Sequence, residues 1–523
     1  MAKPDSAARP DPVRSPVPVQ HSRKGPVMSR PVIILVALMA LAGALGLVSA
    51  TAASADNGQP GLGGPRTWHV LVGGQSRGEA VQAEGYYPHV ITIDAGDTVS
   101  WTLNNTVELH GVSVPGTCAD FSLPCFPQNC LPPVIFDISP CGPSSFDGVV
   151  GLANSGRMVS PVYNWDNAFP PGATTYSLTF TQPGASVYFD PSVPGMRGVV
   201  IVHPAGTPYP FTQAQYSAQA QQQLQADLAA GAQARGDAQP VTASAGPGGT
   251  ATYHVALGAN PLETARLQIA PAAGSAARGS ALLDGSGIGT SPDPSITVTV
   301  KLSGLAPGSV HAAQILPGVC GEAPAPATGI IASQIFAPPA YTLNNLTAGP
   351  DGTATSTTVI TAPPSNSAPA LLAIPSSGWF INVAAGPAAD NAATSAACGN
   401  VVYHSAAVMR YLPQDLRIRV GDTVVWTDDT SNQTDGVTFL AGQPLPQVPD
   451  WVFSSPTGNG VSYDGSSYFN SGPLYRADAA SGSAPGSRPH SLTLTFTKPG
   501  TFPYVGVPAF FMGMKGSVIV TPP

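Results

Sequence analysis

Charge is scarce in this chain: only 10% of its 523 residues are Asp, Glu, Lys or Arg. Six of the 21 basic residues but only two of the 29 acidic ones fall in the first 55 positions, so the remainder carries 15 basic against 27 acidic side chains. That balance excludes a nucleic-acid surface, which needs a cationic face against the phosphate backbone. Cysteine is scarce as well: there are six, none before Cys118, and their spacings exclude the paired Cys-x-x-Cys of a zinc knuckle. Long helical periodicities are few, no phosphate-binding loop motif is present, and no Cys stands beside a His as an activated nucleophile would. The expectation is a protein that is not an enzyme.

What is abundant is glycine and proline, 57 of each. With so little helical pattern, this composition predicts a turn-rich, all-β chain, long enough for three or four domains of about 150 residues. Pro31–Val48 is uncharged, follows Arg23, Lys24 and Arg30, and precedes Ala53-Ser54-Ala55. Residues 1–55 therefore read as a signal peptide with a basic lead, cleaved after Ala55 or kept as an uncleaved anchor. A conventional signal beginning at Met28 makes that residue a candidate start. The expected location is secreted or cell-surface, an oxidising setting in which cysteines pair. Cys118, Cys125, Cys130 and Cys141 crowd into one long loop and allow three pairings, whereas Cys320 and Cys398 are expected to pair with each other.

Residues 67–204 form the first β domain. It opens on alternating strands around a Gly96-Asp97 turn, carries a long Cys-rich insertion over Pro115–Ala173, and closes with the hairpin YFDPSVPGMRGVVIV, Tyr188–Val202. Residues 211–233 form the linker helix, with Tyr216, Ala220, Leu224 and Leu228 on one face, followed by a Gly/Ala/Pro linker from Gly231. Residues 251–404 are a second β unit, opened by the strand YHVALG. Residues 408–523 repeat the first domain. At a constant offset, Pro88, Gly96, Asp97, Thr98, Val99 and Trp101 fall on Pro413, Gly421, Asp422, Thr423, Val424 and Trp426, and the closing hairpin recurs as YVGVPAFFMGMKGSVIV, Tyr504–Val520.

Both closing hairpins resemble the copper-loop end of cupredoxins, the plastocyanin, azurin and halocyanin group. In that group a strand ending Tyr-x-Cys precedes a loop carrying His and then Met. The resemblance implies two Greek-key β-sandwiches flanking a third β-sandwich or barrel. The middle unit resembles chordin-like repeat and superoxide dismutase-like domains through the segment GLAPGSVHAAQILPGVC, Gly304–Cys320, and the later INVAAGP and ACGN. A type 1 copper site needs two imidazoles, a thiolate and a weak axial thioether. By this resemblance the first site maps onto His110, Asp190, Val193 and Met196, and the second onto Asp435, Gly506, Ala509 and Met514. The dismutase-like ligand positions hold Gln314, Leu316 and Ala384, and no two of the nine histidines stand one residue apart, as multicopper oxidases require.

The resemblance therefore implies cupredoxin frames with degenerate copper sites: an exported, non-catalytic binding or structural protein with no cofactor, facing an unidentified extracellular or cell-envelope partner. The alternative is a copper-binding electron-transfer or copper-storage protein in which His110, Asp190 and Met196 hold the ion, with His69 or His89 approaching and Met514 an axial-position remnant. Two lesser signals are exposed aromatics suited to carbohydrate, Tyr163, Trp165 and Tyr468, and an acidic stretch Asp428-Asp429 with Ser431 and Asn432, read as a solvated turn. Asn104, Asn345 and Asn432 head glycosylation sequons.

Overall fold

The computed structural model describes residues 64–78, 80–106, 108–116, 140–149, 152–160, 172–193, 195–237, 243–286, 288, 295–325, 340–361, 372–387, 394–428, 430, 435–446, 461–474, 490–507 and 509–523. The lead and apolar run, Cys118, Cys125, Cys130, Tyr163, Trp165, Asp429, Ser431 and Asn432 lie outside the described residues.

The first sandwich is built from β1 (Thr67–Gln75), β2 (Val81–Tyr87), β3 (Val90–Asp94), β4 (Thr98–Leu103), β5 (Ser113–Pro115), β6 (Ser145–Phe146), β7 (Leu152–Asn154), β8 (Thr175–Phe180), β9 (Gly184–Phe189) and β10 (Arg197–His203). After helix α1 (Gln213–Asp237) come β11 (Ser244–Ala245) and β12 (Ala251–Ala259). The middle unit holds β13 (Thr264–Pro271), β14 (Arg278–Asp284), β15 (Ser295–Ser303), β16 (Val310–Pro317), β17 (Tyr341–Thr347), β18 (Ala354–Thr361), β19 (Trp379–Ala384) and β20 (Ser395–Val401). The last unit adds β21 (Ala406–Leu412), β22 (Asp415–Arg419), β23 (Thr423–Thr427), β24 (Thr438–Phe439), β25 (Val461–Tyr463), β26 (Phe469–Asn470), β27 (Ser491–Phe496), β28 (Gly500–Val505) and β29 (Lys515–Thr521). The all-β class is as expected: two sandwiches, one barrel-like unit and one long helix.

Period-two patterning sets the strands. In β4, Val99 and Trp101 point inward, and in β27, Leu492, Leu494 and Phe496 do so while the intervening Thr and Ser face outward. The two halves match strand for strand. In the first, the order β2-β1-β4-β8-β6 faces β3-β10-β9-β5-β7; in the last, β21-β12-β23-β27-β25 faces β22-β29-β28-β24-β26. Details repeat too. Tyr86 donates to Gly111 O and Tyr411 to Gly436 O, both at 2.5 Å, and the ring pairs Tyr86–Tyr188 and Tyr411–Tyr504 each stand 4.6 Å apart.

This correspondence moves one strand from where the sequence places it. YHVALG, expected to open the middle unit, is β12. It runs parallel to β23 and antiparallel to β21, as β1 does to β4 and β2. The barrel strands therefore sit between the first and second strands of the last sandwich, where the first sandwich has only the β1–β2 turn. Their order is β17-β16-β19-β20-β13-β14-β15-β18, and Asn344 on β17 draws the two ends together by donating its side-chain amide to Thr357 O at 2.6 Å on β18. Cys320 and Cys398 form the expected disulfide, with Cα atoms 5.6 Å apart.

The two sandwiches also share one sheet, because β2 pairs antiparallel with its counterpart β21, Val81 opposite Val408 and Ala83 opposite Ala406. An exposed strand edge is a liability, and here each edge closes the other. Helix α1 covers that seam with Tyr216, Ala220, Leu224, Asp227 and Gly231 buried. It continues through Gly231 to Asp237, past the point where the sequence suggests a flexible linker. A Cβ at Gly231 would collide with Val81 and lie 2.9 Å from Ala406, so glycine is what allows the helix to sit on the seam.

Candidate functional site

His110 lies between β4 and β5, where its backbone bridges to Met158, and Asp190 follows β9 at the head of the closing turn. The turn is self-contained: Asp190 N–H donates to Met196 O (3.0 Å), Ser192 N–H to Asp190 Oδ1 (2.7 Å) and Met196 N–H to Val193 O (3.1 Å). This geometry aims the other Asp190 oxygen inward, 2.7 Å from His110 Nδ1, and both side chains are 0% exposed. On the opposite edge of the ring, Nε2 is 3.4 Å from a carboxylate oxygen of Glu108. Gly73, held at φ +65° in β1, leaves room for the ring, since a Cβ there would lie 2.5 Å from Nε2.

With the Asp190 carboxylate hydrogen-bonded at Nδ1 and the Glu108 carboxylate an ion-pair neighbour of Nε2, the ring is held as an imidazolium. Burial by itself would lower the His110 pKa, but the hydrogen bond to Asp190 and the charges of Asp190 and Glu108 raise it to about 10. Of the sequence-derived ligand set, the fold thus joins His110 to Asp190 directly. Met196 is fully buried and packs with Val193, Tyr188 and Val112 in the hydrophobic core. His69 is exposed on β1, and His89 directs Nδ1 to Tyr86 O at 2.9 Å; neither joins His110. Glu108 is the member that sequence reading missed, although its spacing of two from His110 places both on one face of an extended segment.

The last sandwich keeps the turn and loses the ions. Gly506 N–H donates to Met514 O at 3.0 Å, repeating the Asp190–Met196 bond, but a Cβ on Gly506 would collide with the Asp435 carboxyl, which fills that space. Asp435 is 3% exposed, and burial pushes its pKa well above the usual carboxylate range, with Gly436 N–H pulling down and Asp428 adding to the rise. Met514 and Ala509 are each 1% exposed and belong to the core. Asp428, expected on a solvated turn, is instead 0% exposed; it accepts from Thr430 N–H (3.0 Å) and Oγ1–H (2.6 Å), so its carboxylate is met by the protein and not by solvent.

These residues do not fit a type 1 copper centre. The thiolate position is a carboxylate already engaged by His110 and Ser192, the second imidazole position is a core valine, and the remaining imidazole has both nitrogens turned to carboxylates. Among the described residues, no group of three or more His, Cys, Asp or Glu side chains is placed to hold a metal ion. In the barrel, His311 is likewise occupied at both nitrogens, by Ala384 O and by Ser309 Oγ, each at 2.8 Å.

Two further features stand apart from the His110 cluster. Gly74-Gln75-Ser76-Arg77-Gly78 matches the Gly-x-Ser-x-Gly pattern, but it is the turn joining β1 and β2, with Ser76 Oγ accepting from Val81 N–H at 3.0 Å. The pattern carries nucleophile chemistry on a strand-to-helix elbow, which this hairpin is not. The second is Asp227, a fully buried carboxylate on α1 bonded to Tyr87 and His404. Its only sequence signal is an acid at position 227 within the 216, 220, 224, 231 stripe. Of the Cys-rich loop, Cys141 is disulfide-bonded and its backbone pairs with Asn154. Tyr468 is partly buried.

No protein-family profile matches the chain, and no curated protein matches it. Solved structures with local likeness include a Cu(I) form of an amicyanin point mutant, 23% identical, covering 22% of this chain and 74% of that chain at a TM-score of 0.14. A reduced Cu(I) form of another amicyanin mutant is 18% identical and covers 25% of this chain and 81% of that one at 0.15. Amicyanin from Paracoccus versutus is 22% identical over 25% of this chain and 80% of that chain at 0.14.

Proposed function

We propose that the chain is an exported, non-enzymatic binding or structural protein built on two cupredoxin-like frames, in which a buried ion cluster stands where the copper centre of such a frame would be. The observation that carries this reading is the 2.7 Å contact of His110 with Asp190 beneath a fully closed surface, with Glu108 on the other side of the ring. Electron transfer needs a ligand set that holds copper in both oxidation states, and an imidazolium set between two carboxylates has no lone pair to offer. The strand-for-strand repeat, with apolar or neutral residues at the remaining ligand positions of the last sandwich, supports the same reading. Export is supported by the apolar run Pro31–Val48 behind its basic flank and by the Cys320–Cys398 disulfide. No helix among the described residues is long and apolar enough to cross a membrane. The barrel, inserted into the last sandwich, is proposed as a dismutase-like frame without its metal.

The test is metal analysis of protein produced in copper-supplemented medium, followed by electron spin resonance. The expected result is far less than one copper per chain and no thiolate charge-transfer colour. About one tightly held copper, removed by His110→Ala, overturns the reading.

A further inference from the structure

The two sandwiches differ at one strand edge. In the first, β3 pairs on one side with β10, and its other side is closed by helix α1. Thr92 N–H donates to the Tyr216 hydroxyl at 2.8 Å, that hydroxyl donates to Thr92 O at 3.2 Å, and His89 N–H donates to Gln223 Oε1 at 2.9 Å. In the repeat register that sets Pro88 on Pro413, Thr92 falls on Arg417 and β3 on β22. β22 likewise pairs only with β29, to which it runs parallel. Among the described residues α1 is the only α-helix, so the last sandwich has no counterpart of Tyr216 at this edge.

The register shows which backbone groups are left. Gln414 O accepts Ser517 N–H at 2.9 Å, and Val420 N–H donates to Thr521 O at 3.0 Å, so the even-numbered residues of the strand turn their main chain toward β29. Asp415, Arg417 and Arg419 turn theirs outward. Arg419 N–H is taken by Asp422 Oδ2 at 2.8 Å, but among the described residues the N–H and C=O of Asp415 and Arg417 and the C=O of Arg419 have no partner. These three residues are exposed, while Leu416 and Ile418 between them are buried. Among the described residues Arg417 and Arg419 make no ion pair, and they are two of only 15 basic side chains beyond position 55, so the edge reverses the sign of an acidic chain locally. A strand edge left open invites pairing, and proteins cover it or charge it. Here the charges stand on the outer face of the sheet, where they obstruct no N–H or C=O and select what can approach.

We propose that β22 takes up, by strand addition, an extended acidic segment of a partner protein, with acids at alternate positions beside Arg417 and Arg419 and a neutral residue beside Asp415. The main chain supplies the hydrogen bonds, the cross-strand charge pairs set sign and register, and the alternate apolar side chains of the added strand extend the layer of Leu416 and Ile418. A second copy of this chain fits less well. Antiparallel pairing of β22 with itself places Asp415 opposite Arg419 but Arg417 opposite its own counterpart, and like charges directly opposite destabilise a pair. The edge gives the proposed binding role a partner class. It shares no residue with the His110 cluster, so peptide binding and copper content can fail separately.

The test uses the full chain and a labelled, acetylated peptide, Thr-Glu-Val-Glu-Val-Thr, read by fluorescence anisotropy and by amide hydrogen exchange. One comparison peptide carries Lys in place of both Glu residues; the other keeps both Glu residues but has their backbone nitrogens methylated. The expected result is saturable binding of the first peptide, weakened by added salt, and no binding of either comparison. At saturation, exchange of the Asp415 and Arg417 amides is expected to slow about tenfold, while Leu416 and Ile418, already bonded to β29, stay unchanged. Arg417→Glu combined with Arg419→Glu is expected to weaken the acidic peptide about tenfold and to admit the Lys peptide. Absence of saturable binding, equal binding of the methylated peptide, or an unchanged Arg417 amide overturns strand addition, and none of these readings needs the variant to fold. Concentration-dependent dimerisation that protects the Arg417 amide without peptide assigns the edge to a second copy and overturns the acidic partner.

Discussion

Tyr87 of the first sandwich and His404 of the segment leading into the last are bonded to the two oxygens of one carboxylate, Asp227, at 2.6 and 2.8 Å. Asp227 is 0% exposed and lies on the helix that covers the seam, so a single side chain ties three parts of the fold together. Glu84, His89 and Ser405 surround it: Glu84 accepts from Ser405 Oγ at 3.3 Å, and His89 is kept neutral chiefly by burial.

Asp227→Ala removes both acceptors and leaves a buried tyrosine hydroxyl unpaired. The expected loss is about 3 kcal/mol in chemical denaturation. Asp227→Asn, which keeps one acceptor, is expected to fall between the two. His404 is held above the usual imidazole range first by its hydrogen bond to Asp227, against the pull of burial. A raised folded-state pKa gives stability that is complete below the unfolded value near 6.5 and fades as pH rises through the folded value. Hydrogen exchange of α1 amides is therefore expected to quicken from pH 6 to pH 9 in the wild type beyond the intrinsic rate, and to do so less in His404→Gln.

The His110 cluster works over a wider window. Because its folded pKa is raised to about 10, its stabilising contribution is present in full below about 6.5 and is lost only as pH climbs toward 10. His110→Ala leaves Asp190 and Glu108 as buried carboxylates without a cation. About 3–5 kcal/mol is expected to be lost at pH 7, with the gap to wild type narrowing by pH 10 in urea titrations. A gap that is constant across this range would assign His110 a packing role instead.

What could be read in the sequence, and what could not, follows from how local each signal is. The Gly96-Asp97 and Gly421-Asp422 turns, with Trp101 and Trp426 beside them, are contiguous patterns, and their constant offset exposed the repeat. The first strand of the last sandwich escaped because the barrel between β12 and β21 breaks that offset. Gly73 corresponds to Gly258, while Trp101 corresponds to Trp426. Asp227 escaped because one acid in an amphipathic helix reads as part of the solvent face until its partners, far away in the chain, are in place. The pairing of His110 with Asp190 followed from family positions, but Glu108 did not, since no family ligand maps to it. That the pair makes an ion cluster depends on Gly73, which only the fold brings beside the ring.

The counterpart cluster gives a prediction of opposite sign. Asp435 keeps its proton because burial pushes its pKa well above that of an unfolded carboxyl. Between the unfolded pKa near 4 and the folded value, the unfolded chain releases a proton that the folded chain must retain, so folding stability falls across that interval. Asp435→Asn removes the penalty and preserves the acceptor for Gly436 N–H. It is expected to stabilise the protein by about 1–3 kcal/mol at pH 7, with no gain near pH 3, as measured by thermal midpoints across pH.

The barrel's position in the chain gives the last prediction. β12 and β21 are adjacent and antiparallel, with Ala259 opposite Val408, so the two points where the barrel begins and ends are already at hairpin distance. The equivalent strands β1 and β2 are joined only by the residues between Gln75 and Val81. The barrel has its own core, including Leu283, Ile296, Ile315, Trp379 and Ile381, while the last sandwich keeps a separate one around Trp426, Phe439 and Tyr504. Replacing residues 261–403 by a short Asn-Gly turn is therefore expected to leave the shared sheet, the α1 seam and the His404–Asp227 bond intact. Circular dichroism should retain a cooperative β-type unfolding transition, and amide spectra should keep dispersed signals for β2 and β21. The Ser376 and Ser377 contacts to Arg197 are lost with the barrel, so the hairpin after Asp190 is expected to exchange faster than in the full chain. A shortened chain without a cooperative transition would mean that the barrel sustains the sandwich into which it is inserted, despite the separate cores.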